Sequence, residues 1–229
     1  MKKYSLLGFL LPLLITGAVT AQPVPSECAK YPGEAKYDEA GYDDCLMLAM
    51  NTETIEAAAS RSDTVIRALI NQGERPEVIM FIQFTRTAEG KASLDVRTPQ
   101  YEKPRMTRRL QERQWRAVEA QWTKNRSAVA TALPQKEIHH GKAGEPDTVC
   151  ISRGFAKIEI ATDSKSESYK LDGCQKEYSF IDYLVIQAIA DLPDCSHSTP
   201  DETTSDLLRL QNCFGEQRWS PPRPNLHPR

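Results

Sequence analysis

Three sets of side chains hold the reactive chemistry of this chain: six cysteines, an adjacent pair of histidines, and a run of arginines beside two tryptophans. The cysteines are Cys28, Cys45, Cys150, Cys174, Cys195 and Cys213. None stands in a Cys-x-x-Cys spacing, so neither a zinc knuckle nor a thioredoxin-like dithiol is indicated. An even count in an oxidising compartment reads as disulfides. Spacing suggests neighbouring pairs, Cys28–Cys45, Cys150–Cys174 and Cys195–Cys213, although sequence alone leaves the pairing open. Each would close a loop of roughly 17 to 25 residues and stabilise the fold by about 3 kcal/mol on the chain-entropy account. A nucleophilic cysteine needs to stay unpaired beside a base, so a structural role is expected for all six.

His139 and His140 sit in "EIHHGKAGEP", a stretch rich in turn formers. A hydrolase site can be drawn there, with Ser152 as nucleophile and Asp147 orienting the imidazole. It lacks the Gly-x-Ser-x-Gly elbow. Adjacent side chains diverge, and nothing matches His-Glu-x-x-His. His197 and His227 have no candidate partner beside them in the sequence. The chain contains no phosphate loop, dinucleotide fingerprint or calcium loop. No metal, no cofactor and no catalytic residue is therefore expected, and binding is favoured over catalysis. A periplasmic hydrolase built on His139 or His140 is the alternative.

The basic run is the most informative. Lys103 through Arg126 carries eight basic residues against Glu112 and Glu119. On a helical wheel Arg105, Arg109, Arg113, Arg116 and Lys124 gather opposite Met106, Leu110, Trp115, Ala117, Val118 and Trp122. By contrast, Glu27 through Ala57 carries eight acidic residues against Lys30 and Lys36. Three readings follow. The arginines form a solvated face with the tryptophans in the core, or the acidic N-terminal segment lies against them, or they meet an anionic partner. That partner is an anionic envelope component, such as lipid headgroups or a surface polysaccharide, or an acidic protein. Tyr31, Tyr37 and Tyr42 cluster near the acidic segment, as a recognition loop or a packed lid.

The elements that position these groups begin with a leader. Lys2 and Lys3 precede an apolar run from Leu6 to Val19, too short to span a bilayer. Val19-Thr20-Ala21 predicts cleavage after Ala21, so residues 1–21 read as a signal peptide and the mature protein as periplasmic or secreted. The chain has 29 Lys and Arg against 31 Asp and Glu. Removing Lys2 and Lys3 leaves 27 against 31, a net −4 that argues against a nucleic-acid partner. No other stretch approaches a transmembrane length, so the mature chain should be soluble.

Helices are expected over Asp43–Met50, Thr52–Gln72, Arg105–Trp122 and onward toward Leu133, Phe180–Leu192 and Asp201–Phe214. In the second of these Ile55, Ala58, Ala59, Ser62, Val65, Ile66, Leu69 and Ile70 recur at helical spacing. Strand patterns run through "EVIMFIQFTRT" and "ASLDVRT", joined at "AEGK", with Ala92, Leu94 and Val96 inward and Ser93, Asp95 and Arg97 outward. A second hairpin joins "FAKIEIA" to "YKL" through the polar turn "DSKSES". Helices flanking two hairpins predict an α+β fold: a small antiparallel sheet of about four strands packed with four or five helices and stapled by disulfides. Residues 22–215 are expected to form one domain, and 216–229, with four prolines, a mobile tail.

Overall fold

The computed structural model describes residues 42–72, 78–99, 105–132, 138–139, 148–149, 154–172, 179–192, 195 and 205–214. The predicted leader, the first part of the acidic segment and the proline-rich end lie outside them. The fold is α+β. Its centre is a six-stranded sheet in the order β4-β3-β2-β1-β7-β8, with every neighbour antiparallel. The strands are β1 (Thr64–Gln72), β2 (Val78–Arg86), β3 (Ala92–Arg97), β4 (Arg105–Leu110), β7 (Phe155–Thr162) and β8 (Lys165–Asp172). A separate short pair joins β5 (Ile138–His139) to β6 (Thr148–Val149). Helices are α1 (Tyr42–Ala49), α2 (Ile55–Ser60), α3 (Glu112–Thr131), α4 (Ser179–Asp191) and α5 (Asp206–Asn212).

The sheet exceeds the expected four strands because two segments read as helical are strands. Thr52–Gln72 is not one helix. Thr54 caps α2 by accepting from the Ala57 N–H at 3.2 Å, and the chain breaks after Ser60. Ser62, at φ 60°, then turns it into β1. That strand is central and buried on both faces, so it is apolar at both parities and matches a helical template by coincidence. Arg105–Leu110 is the second correction. In this edge strand Met106 and Leu110 turn to the core while Arg105, Thr107 and Arg109 take the opposite face. The helix starts only after Gln111, whose backbone N–H donates to Gln114 Oε1 at 2.6 Å.

The two predicted hairpins are present. Gly90, at φ 80°, closes the β2–β3 turn, where its N–H donates to the Thr87 carbonyl at 2.8 Å. The β7–β8 turn is tighter than the stretch "DSKSES" suggests. Asp163 and Ser164 alone make it, at φ 49° and 63°, the left-handed values of a type I′ turn that matches strand twist.

One sheet face packs against α3, α4 and α5. Ile66, Ala68, Ile70, Met80, Ile82, Phe84, Leu94, Val96, Ile158 and Ile160 meet Trp115, Val118, Trp122 and Val129 of α3 and the apolar side of α4. The four α3 residues form one stripe, which is why the helix lies along the sheet with its charged side outward. Burying each side chain of this size stabilises by roughly 1.5–3 kcal/mol. Trp122 joins three elements, its ring 5.4 Å from Phe180 of α4 and 6.0 Å from Tyr169 of β8. At the far end Cys195 and Cys213 form a disulfide, with Cα atoms 5.0 Å apart, that ties the end of α4 to α5.

The second face is covered only in part. Leu46, Met47 and Met50, from α1 and the turn that ends it, pack on Leu69, Ile79, Phe81 and Phe155. Ile55, Ala58 and Ala59 of α2 pack on Val65 and Ala161. These two short helices close the face over β1, β7 and the Ile79–Phe81 part of β2. Among the described residues nothing covers the rest of β2, β3 and β4 on this face.

Candidate functional site

On the second face polar side chains lie in rows set by strand register. One row reads Glu159, Arg67, Gln83, Asp95, Thr107 from β7 to β4. The next reads Lys157, Leu69, Phe81, Arg97, Arg105, and a third ends Thr85, Ser93, Arg109. Under α1 and α2 the first two rows are buried. Arg67 is 1 % exposed, and its Nε donates to Glu159 Oε2 at 2.8 Å. Its Nη1 donates to the Glu53 carbonyl at 2.8 Å, which fixes the α1–α2 connection to the sheet. Arg97 does the same from the other side, donating to the carbonyls of Met50, at 2.8 Å, and Asn51. Both guanidinium groups lie over the Phe81 ring, 5.8 and 5.9 Å from its centroid.

Past that connection the sheet forms the floor of a groove of about 840 Å³. Gln83, Thr85, Ser93, Asp95 and Thr107 pave it, and Asn51, Glu53, Arg61 and Asp63 form one wall. Arg105, Arg108, Arg109 and Lys91 bound it elsewhere. Asp95 is buried and fully engaged. Arg97 Nη2 reaches its Oδ2 at 2.6 Å, and Arg105 Nε reaches its Oδ1 at 2.9 Å. Arg61 is engaged too, at 2.7 Å from Glu53 and 3.1 Å from Asp63. Those contacts, the Glu53 hydrogen bond first, hold its guanidinium above the ordinary arginine value. The groove therefore presents six basic groups against three carboxylates, all three of them already ion-paired. Arg108 and Arg109 have no ion-pair partner among the described residues. A second hollow of about 410 Å³ shares Ala92 and Arg109 with the first.

This arrangement supplies hydroxyl and amide donors and guanidinium charge. Its one floor carboxylate is held by two arginines, so it is not a free base. Such a surface suits an anion, not proton transfer.

The sequence-predicted basic face divides between two elements. Arg105 and Arg109 stand on β4 at the groove. Arg113, Arg116 and Lys124 are exposed on α3, across the sheet from it. Arg116 pairs with Glu112 at 3.1 Å. Trp115 and Trp122 are in the core, as expected. Of the acidic N-terminal segment, residues 27–41 lie outside what is described, while its described Asp43 and Asp44 meet lysines on the sheet. Asp44 pairs with Lys157 at 2.7 Å and Asp43 with Lys170 at 3.5 Å. Burial pulls the Lys157 ammonium down, yet Asp44 and Glu159 outweigh it and leave it above the ordinary lysine value.

His139 takes part in β5 opposite Thr148. Its side chain, and His140, Asp147, Ser152, Tyr31 and Tyr37, lie outside what is described, as do Cys28, Cys150 and Cys174. Cys45 is disulfide-bonded and buried in α1. Among the described residues no three His, Cys, Asp or Glu side chains stand together as metal ligands. Among the same residues no helix is long and apolar enough to cross a membrane.

Comparison with protein-family models, with curated proteins and with solved structures finds no match for this chain. Sequence reasoning missed the roles of Gln83, Thr85, Asp95, Arg97 and Thr107. The alternation of Ser93, Asp95 and Arg97 was the available signal: it places three polar groups on one face of a strand. What covers that face depends on residues far away in sequence.

Proposed function

We propose that this is a periplasmic or secreted binding protein without catalytic activity, and that it takes an anionic partner, in particular an acidic protein, at the groove over β2, β3 and β4. The observation that carries the reading is the pair Arg108 and Arg109 on the β4 margin of the groove, Arg109 on the groove face and Arg108 on the other, neither with a carboxylate partner among the described residues. The groove's own carboxylates are engaged by Arg61, Arg97 and Arg105. The basic side of α3 is the weaker candidate, because Arg116 and Arg126 are already paired with Glu112 and Glu167.

The test is retention of the purified protein on a polyglutamate matrix, compared at low and at physiological salt. Screening beyond about 8 Å at physiological ionic strength should weaken the interaction. Arg108→Glu with Arg109→Glu should abolish retention, and Arg113→Glu with Lys124→Glu on α3 should leave most of it. Loss in the α3 variant alone would move the site to the helix and refute the groove.

A further inference from the structure

We propose that the acidic partner binds as an added strand along the outer edge of β4, so that an extended peptide continues the sheet while its carboxylates meet Arg105, Arg108 and Arg109. The proposal rests on the anionic-partner reading above and specifies how that partner is held.

β4 is a terminal strand. It pairs with β3 along its whole length, from Ala92 opposite Leu110 to Arg97 opposite Arg105. No strand pairs with its other side among the described residues. An antiparallel edge of this length turns about three N–H and C=O groups outward, a ready template for another chain. The opposite terminal strand is different. On β8 Glu167 is taken by Arg126 and by the Tyr169 hydroxyl, and Lys170 lies near Asp43. The β8 edge thus carries both signs, and these charges are answered within the molecule. The β4 sequence Arg105-Met106-Thr107-Arg108-Arg109-Leu110 carries three arginines and no acid.

Strand alternation distributes that charge usefully. Arg105 and Arg109 lie on the groove face and Arg108 on the helix-covered face. A seventh strand would thus find cationic groups beside both of its own faces. The uniform charge also decides against another occupant. Two copies of β4 brought edge to edge would gather six arginines and no acid along one seam, a concentration of like charge that disfavours the pairing even though full antiparallel overlap sets them opposite Leu110, Met106 and Thr107. Among the described residues no aromatic ring lines the groove, so they offer no flat stacking surface of the kind a sugar ring favours. An extended acidic segment satisfies both the backbone groups and the charges. In the antiparallel sense the complementary sequence is Glu-Glu-Thr-Val-Glu, with the valine beside Met106 and the first two glutamates beside Arg109 and Arg108.

The experiment titrates a labelled peptide containing Glu-Glu-Thr-Val-Glu into the full-length protein and follows anisotropy. Two further peptides carry N-methyl groups on alternating sets of residues. Only one set directs its amides toward β4, so one methylated peptide should lose affinity by about tenfold per blocked hydrogen bond while the other binds like the parent. Amide exchange at residues 105–110 should slow on binding. If both methylated peptides bind as the parent does, strand addition is overturned while anion binding stands. The same conclusion follows if the peptide fails to bind but polyglutamate still retains the protein. If neither binds, the anionic-partner reading falls as well.

Discussion

Glu159→Gln removes one negative charge from the buried row that Arg67 completes. The side chains of Arg67 and Glu159 are 2 % and 8 % exposed, and Arg67 Nη2 lies 2.7 Å from Glu159 Oε2. At that distance and an effective dielectric of about 20, the Coulomb attraction is about 6 kcal/mol. Desolvation of the two ions offsets most of it, so the intact pair adds little net stability. Removing one partner is different, because the other ion is left buried. It costs about 3–5 kcal/mol in such cases. Arg67 keeps its bond to the Glu53 carbonyl and its place over Phe81, which puts the expectation at the lower end. Lys157, 3.3 Å from Glu159, pushes the other way, since it would face Arg67 without an anion between them. About 3 kcal/mol corresponds to a fall in Tm of roughly 6–12 °C for a chain of this size. Urea and thermal unfolding followed by tryptophan emission measure it, with Trp115 and Trp122 in the core as reporters. The double variant Arg67→Met/Glu159→Leu should lose less than Glu159→Gln alone. A Glu159→Gln protein within about 1 kcal/mol of the parent would refute the argument that the row is dry and mutually dependent.

Replacing Cys195 and Cys213 with serine should cost about 3 kcal/mol on the chain-entropy account of an 18-residue separation, read as a matching fall in urea midpoint. Asp163→Asn with Ser164→Gly should raise Tm, because both positions have left-handed φ that asparagine and glycine adopt more readily, and a fall would contradict the turn assignment. Burial, then the nearby charge of Asp206, holds the Asp182 carboxyl above its usual 3.8. The folded state therefore binds that proton more tightly than the unfolded chain, and this group's contribution declines as pH rises from about 4 through the raised value. Asp182→Asn should melt higher than the parent near pH 7 and no higher below about pH 3; an equal gain at both would remove the titration argument.

Local patterns were legible where one sheet face met the core and the other did not. Ala92, Leu94 and Val96 alternate cleanly, and β3 lies where that alternation puts it. Helix α3 was legible through Trp115, Val118 and Trp122, but its start was not. Met106 and Leu110 are four residues apart, a spacing that suits one helix face and one strand face equally, so β4 was absorbed into the helix. The signal that separates them is the Gln111–Gln114 cap. Strand β1 was hidden by its central place, since Val65, Ile66, Leu69 and Ile70 satisfy either period when both faces are buried. The groove was the least legible feature. Its floor is set by pairing between β2, β3 and β4, and its wall by arginines that grip backbone carbonyls some 14 to 47 residues away. For the Arg97 contact no short window of sequence contains both partners.

The arginine grip on the α1–α2 connection has a consequence for synthesis. Residues 42–60 leave the ribosome first among the described elements, yet Lys157, which pairs with Asp44, follows 113 residues later, and Glu159, which anchors Arg67, lies 92 residues beyond it. A nascent chain stopped near residue 150 has made the future seat of these helices only in half, with β1 still missing a neighbour. Such a chain should leave the segment open to protease, and closure should come abruptly once Phe155–Thr162 has emerged.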